Sequence, residues 1–184
     1  MKVYETEIDG VLIIEPSRHF DGRGFLSEVF NESRLAEVGI ATRFVQENHT
    51  LSTESGTVRG LHFQIQPKET AKLVRVTRGA IFDVAVDLRR SSPSYGQHVS
   101  RLLDTENWRQ MFIPRGFAHG FCTTQPNTEV TYWVSDHWSQ EVDRGVRWDD
   151  PALGIAWPIG PEEAIVSDKD RVQPLLDELE TYFD

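Results

Sequence analysis

Residues 81–88 read Ile-Phe-Asp-Val-Ala-Val-Asp-Leu, with Phe82, Val84, Val86 and Leu88 on one parity and Asp83, Ala85 and Asp87 on the other. A period of two marks an extended strand, whose side chains alternate between faces. Residues 72–76 and 129–134 are rich in β-branched and aromatic side chains that suit a pleated surface. Short strands also fit residues 3–14, 24–30, 43–50, 57–65, 97–104, 109–114 and 117–124. Turn signals separate them: Asp21-Gly22, Ser55-Gly56, Arg78-Gly79, Ser92-Pro93 and Pro126-Asn127. Many short strands at this spacing predict a sandwich or barrel rather than a parallel α/β sheet. Helical spacing occurs twice. Asn31 is placed to cap a helix over residues 32–38, with Gly39 as its stop. Near the C-terminus, Leu175, Leu176, Leu179 and Phe183 follow a cap at Asp168 or Asp170. That pattern predicts a helix over about 170–184, packed on the outside of the barrel.

The 184 residues fit one domain, with a core large enough to need no disulfide. Cys122 is the single cysteine, so an intrachain disulfide and a thiolate metal cluster are both excluded, which suits a reducing cytoplasm. Residues 1–8 hold no apolar core of a signal peptide, and no run approaches the length of a membrane span. The net charge of −10 argues against nucleic acid or an anionic membrane as partner. It leaves room for a small anionic ligand, because a local group of Arg and Lys outweighs a distant field screened by salt.

Two histidine segments carry the candidate chemistry: Arg59-Gly-Leu-His-Phe-Gln64 and Ile113-Pro-Arg-Gly-Phe-Ala-His-Gly-Phe121. Each places one imidazole in a short apolar strand, where it can hold a metal or move a proton. The stretch from Pro114 to His119 has the P-x-G-x-x-H form that resembles the second motif of the cupin jelly rolls. Metal-binding cupins pair it with H-x-H, which aims two rings at one ion. Here the matching stretch is His62-Phe-Gln64, and an amide is a poor ligand, so the weight falls on a metal-free site. Proton transfer asks for a base, a carboxylate to orient it, a cation for the developing oxyanion and an acid to return the proton. The candidates are His62, Asp170 or Asp83, Lys72 and Tyr132. Taken singly, each has a plainer reading: a hydrogen-bonded structural His, a helix cap, an edge lysine, a core tyrosine.

The chain resembles the dTDP-4-dehydrorhamnose 3,5-epimerase family over nearly its whole length. The stretches that carry the likeness include Asp21-Gly-Arg-Gly-Phe25, Phe44-Val-Gln-Glu-Asn-His49, Val58-Arg-Gly-Leu-His-Phe-Gln64, Lys72-Leu-Val-Arg75 and Phe82-Asp-Val-Ala-Val-Asp-Leu-Arg89. They continue through residues 113–121, Tyr132, Ile155-Ala-Trp-Pro158 and Ser167-Asp-Lys-Asp170. The resemblance implies an all-β, cupin-like double-stranded β-helix (jelly roll) with short flanking helices. It would form a single domain over 1–184, with an N-terminal strand region at about 1–15. It implies a cytoplasmic, metal-independent isomerase without a cofactor, typically a homodimer whose N-terminal strands join the partner's sheet.

The implied reaction inverts C3 and C5 of a dTDP-4-keto-6-deoxyhexose, whose C4 ketone acidifies the neighbouring C–H bonds. His62 resembles the base and Asp170 the carboxylate that orients it. Lys72 resembles the group that steadies the enolate oxygen, and Tyr132 the acid on the opposite face. Arg23, Glu28, Gln46, Asn48, Arg59, His119 and Lys169 resemble ligand contacts. Two positions depart from the pattern. The stretch Ser135-Asp-His-Trp138 stands where the family commonly has tyrosines, one of which stacks on the thymine, and leaves Trp138 or His137 for that contact; Asp143 stands where glutamate is common. The alternatives are an epimerase acting at C3 only or C5 only, a non-catalytic cupin that binds sugar nucleotides, and a metal-dependent cupin oxygenase.

Overall fold

A computed structural model describes residues 1–184. In chain order, β1 (Lys2–Glu5), β2 (Leu12–Glu15), β3 (Arg18–Asp21) and β4 (Gly24–Ser27) precede α1 (Glu32–Glu37). Then come β5 (Gln46–Ser52), β6 (Thr57–Gln64), β7 (Lys72–Arg78), β8 (Ala80–Asp87), β9 (His98–Asp104) and β10 (Gln110–Ile113). The chain continues through β11 (Phe117–Thr123), β12 (Thr128–Val134), β13 (Asp143–Gly145), β14 (Ile165–Val166) and α2 (Asp168–Arg171). One sheet runs β1-β2-β10-β7-β12-β5. The other runs β13-β6-β11-β8-β9, with β14 added to β6. Strands β3 and β4 form a separate ribbon. The two sheets face one another as the expected jelly roll.

The main core lies between the sheets. Ile13, Val74, Val76, Met111, Ile113 and Val130 come from one sheet and meet Ile81, Ala85, Val99, Leu103, Phe117 and Phe121 from the other. The parity expected for β8 holds, and the structure sets its orientation. Its Val84, Val86 and Leu88 face outward into a second cluster with Leu153 and Phe183, while Asp83 shares the inward parity of Ile81 and Ala85. A strand covered on both faces is largely buried: in β8 every residue but the half-buried Phe82 is buried, with Asp83 and Asp87 both at 0% exposure.

Helix α1 is capped as expected: Asn31 accepts from the Arg34 amide, and Gly39 follows with a φ of +89°. Two expectations are corrected. Residues 3–14 are a hairpin rather than one strand, since the Thr6 hydroxyl donates to the carbonyls of Ile8 and Val11 and closes a turn between β1 and β2. The helix expected over about 170–184 is absent. Helix α2 ends at Arg171, one 3-10 turn covers Leu176–Glu178, and Phe183 bridges in parallel to Arg89. Pro174 lacks an amide donor and disfavours a helical Gln173. The apolar residues of the tail still pack on the outside of the barrel: Leu176, Leu179, Tyr182 and Phe183 cover the outward face of β8.

Candidate active site

The site begins with an irregularity in β6. His119 on β11 is the register partner of His62, yet Phe121 is the partner of Arg59, so three steps of β6 match two of β11. The extra residue is a bulge, which re-aims the side chains around it. It falls at Gly60, whose φ is +136° and where a Cβ would lie 2.5 Å from the Gly120 Cα. Without the bulge, Arg59 and His62 would point to opposite faces; with it, both line the same cavity of about 490 Å³. An adjoining cavity of about 220 Å³ shares His62, Lys72, Tyr132 and Lys169 with it.

Asp170 reaches His62 across 108 positions of sequence. Strand β14 pairs in parallel with the start of β6, which delivers the next turn of chain beside the bulge. Ser167, not Asp168 or Asp170, is the N-cap of α2: its hydroxyl accepts from the Asp170 amide. The Asp170 carboxylate is thereby free, and its Oδ1 lies 2.6 Å from His62 Nε2. Its Oδ2 accepts from the Gly60 amide at 3.4 Å. Burial raises this carboxyl, but the hydrogen bond and charge of His62, with the Gly60 and Ser167 contacts, leave it below its ordinary value. A carboxylate on Nε2 fixes the proton there and leaves Nδ1 with its lone pair.

The opposite sheet supplies the facing wall. Tyr132 on β12 has Asn48 as register partner, and Val134 has Gln46 on one side and Lys72 on the other. Alternation therefore puts Gln46, Asn48, Tyr132 and Lys72 on one face, and all four line the adjoining cavity. The Lys72 ammonium crosses between the sheets and donates to the His62 carbonyl at 3.1 Å. Burial lowers its pKa to about 8, against the pull of Asp143 and Asp83. Burial raises the Tyr132 phenol and Asp143 adds to that, while Arg59 opposes, so the hydroxyl keeps its proton at neutral pH.

Beside His62, His119 forms a second pair, with its Nε2 2.7 Å from Asp83 Oδ1. Asp83 is the register partner of Phe121, one diagonal step away on β8. Burial lowers the His119 pKa, with Asp83 opposing. At the rim, Lys169 is ion-paired with Asp143, and Trp138, 58% exposed, caps the adjoining cavity with its amide donating to Gln46 Oε1. No group of three or more His, Cys, Asp or Glu side chains is placed to hold a metal ion.

Two expected ligand residues are not brought here. Arg23 sits on the exposed β3–β4 turn, paired with Asp21 at 2.6 Å, and Glu28 is paired with Arg34 at 3.0 Å. Neither lines the cavity. The local positive field within one chain therefore comes from Arg59, Lys72 and Lys169, not from Arg23. Other lining residues carry weaker signals in the sequence. Phe121 shares the parity of His119, a signal that was available, and Ser167 opens a Ser-x-x-Asp cap pattern. Thr50 and Thr57 carry no local signal.

A profile of the family described as dTDP-4-dehydrorhamnose 3,5-epimerase matches residues 5–178. A relative of that name from Sinorhizobium fredii is 50% identical over 187 residues, spanning all of this chain and 93% of its own. The crystal structure of the Bacillus anthracis dTDP-4-dehydrorhamnose 3,5-epimerase with TDP and PPi bound superposes with a TM-score of 0.91 at 46% identity, covering 95% of this chain and 98% of that one. The Legionella pneumophila dTDP-6-deoxy-D-glucose-3,5-epimerase in complex with dTDP-4-keto-L-rhamnose gives 0.92 at 42% identity, covering 97% and 94%. With a family profile over most of the length and close structural likeness throughout, the chain belongs to the dTDP-4-dehydrorhamnose 3,5-epimerase family.

Proposed function

We propose that this protein converts dTDP-4-dehydro-6-deoxy-D-glucose to dTDP-4-dehydro-L-rhamnose by epimerisation at C3 and C5, without a metal or cofactor. The observation that carries this reading is a base on one sheet facing an acid on the other: His62 on β6, held by Asp170 of α2, and Tyr132 on β12. Inversion needs two faces, because a single base would return the proton it took. The His62 Nδ1 removes the proton α to the C4 ketone, and the electron pair moves into the C3–C4 or C4–C5 bond and onto the C4 oxygen. The Lys72 ammonium stabilises that enolate oxygen. Tyr132 donates its proton to the opposite face of the carbon; solvent then reprotonates the phenolate and discharges the imidazolium. Arg59 and Lys169 suit the diphosphate, Gln46 and Asn48 are polar contacts, Trp138 stacks on the base and Asp143 orients Lys169.

The working unit is a homodimer. Phe20, Phe25 and Leu26 on the β3–β4 ribbon are 71%, 47% and 76% exposed, an apolar group that suits a second copy. Seated on a partner, this ribbon would carry Arg23 and Glu28 to the partner's cavity. The expected compartment is the cytoplasm, in keeping with a single buried thiol, and no helix is long and apolar enough to cross a membrane.

Solvent deuterium wash-in followed by NMR tests the reaction. The protein with dTDP-4-dehydro-6-deoxy-D-glucose in D2O should place label at both C3 and C5, unaffected by chelator and absent with His62→Ala. Label at one carbon only, or none with the nucleotide sugar bound, would overturn the reading.

A further inference from the structure

Asp83 lies behind His119 and, unlike it, does not line the cavity. It is at 0% exposure, its Oδ1 is held by His119, and its Oδ2 has no hydrogen-bond partner. Taking a carboxylate out of water costs several kcal/mol unless its oxygens are paired, and an apolar residue of similar volume would pack at this place without that cost. Its neighbours on the inward face, Ile81 and Ala85, are of that apolar kind. The chemistry above uses neither Asp83 nor a particular nitrogen of His119.

The ring nitrogens of His119 are unequal. Nε2 is bound to Asp83; Nδ1 makes no hydrogen bond within the chain, is not among the buried unpaired atoms, and belongs to a side chain that lines the cavity. An acceptor on Nε2 requires the proton there, which leaves the Nδ1 lone pair as the face shown to a ligand. Burial, the largest influence on this ring, holds it neutral. A neutral ring with a lone pair toward the cavity accepts from a donor, and the donors of a hexose are its hydroxyls. The arrangement repeats that of His62 on the neighbouring strand with Asp170, with a shorter reach in sequence and less exposure.

We propose that Asp83 is a positioning residue: it fixes His119 as the Nε2–H tautomer, so that Nδ1 accepts from a sugar hydroxyl and sets the hexose ring over the His62–Tyr132 axis. This rests on the nucleotide-sugar reading of the site. It differs from a structural role in predicting an effect on the sugar that the nucleotide portion does not share.

The first arm uses the unaltered protein with 15N-histidine. At pH 7.5, His119 should show a protonated Nε2 and a bare Nδ1. The Nδ1 resonance should move when dTDP-glucose binds and stay when dTDP binds. The second arm compares Asp83→Leu, which removes the acceptor, with Asp83→Asn, which keeps an oxygen for Nε2. Asp83→Leu should bind dTDP within about twofold of the parent but lose about ten- to a hundredfold in kcat. Asp83→Asn should recover most of that loss. An Nδ1–H tautomer or an imidazolium in the parent, or equal responses to dTDP and dTDP-glucose, would overturn the proposal. So would an unchanged kcat in a folded Asp83→Leu. These spectra do not depend on turnover, so a parent protein that fails to epimerise would count against the reaction alone.

Discussion

His62 and His119 are register partners on adjacent strands, and each is held through Nε2 by its own carboxylate, at 2.6 Å from Asp170 and 2.7 Å from Asp83. The two carboxylates arrive by different routes. Asp83 comes from the next strand of the same sheet, and Asp170 from a tail that pairs in parallel with β6. Their surroundings divide the labour: His62 is 31% exposed at the cavity, whereas His119 is 5% exposed.

Replacing His62 by Ala removes the base without touching Arg59 or Lys169. We expect kcat to fall by about a thousandfold or more, within the range of a lost general base, while dTDP affinity changes by less than about threefold. Steady-state kinetics and calorimetric titration of dTDP separate the two.

Lys72 titrates at about 8, so its ammonium is lost in the mildly alkaline range. If that charge steadies the enolate, kcat/KM falls as pH rises through about 8. Lys72→Arg keeps its charge throughout and should move this limb upward, at a lower maximum rate because a guanidinium presents its donors differently. A profile of kcat/KM against pH for both proteins decides it; an alkaline limb that does not shift in Lys72→Arg would exclude the ammonium as its source.

The Asp170 carboxyl is held below its ordinary value, so over that range the unfolded chain binds more protons than the folded one. Stability from this group is therefore complete above the ordinary carboxylate value and is lost as pH falls through the lowered one. Melting temperatures of the parent and Asp170→Asn should diverge at neutral pH, with the parent higher, and converge as the solution is acidified.

Trp138 lies at the open end of the adjoining cavity with more than half its surface exposed. Stacking of a base on an aromatic ring contributes about 1–3 kcal/mol. Trp138→Ala should therefore weaken dTDP binding by roughly five- to a hundredfold and raise KM with little change in kcat. Quenching of Trp138 fluorescence by dTDP, lost in the variant, is a direct check.

Gly60→Ala puts a Cβ 2.5 Å from the Gly120 Cα at a φ of +136°. Its three nearest neighbours, the Gly120 Cα and N and the His119 carbonyl oxygen, are all backbone, so nothing flexible can yield. A loss of about 3 kcal/mol is expected from the overpacking, read by urea unfolding, and the bulge that aligns Arg59 with His62 should be disturbed with it.

The architecture was legible because strand parity is a local signal. The alternation in residues 81–88 and the β-branched runs at 72–76 and 129–134 all correspond to strands. Parity alone did not say which face of β8 turns inward, since both faces are buried. The tail misled for the opposite reason: Leu175, Leu176, Leu179 and Phe183 fit a helical stripe, but Pro174 and separate docking sites on the barrel decide their conformation. In the site, the resemblance named His62, Lys72, Tyr132 and Asp170, and the fold brings them to one cavity. It could not supply the Gly60 bulge, which has no period, nor the partner of His119, which depends on a diagonal between β8 and β11. Arg23 and Glu28 lie outside the cavity because Arg23 is on the separate β3–β4 ribbon, paired with Asp21, and Glu28 follows that ribbon, paired with Arg34.

The parallel pairing of β14 with β6 has a temporal side. A ribosome releases His62 into the nascent chain 108 residues before it reaches Asp170. For all that interval the imidazole has no Asp170 carboxylate to choose its tautomer, and it acquires one only when β14 docks along the much earlier β6. The base is thus made early and armed late, and a chain cut short before Asp170 would carry an imidazole with nothing to orient it.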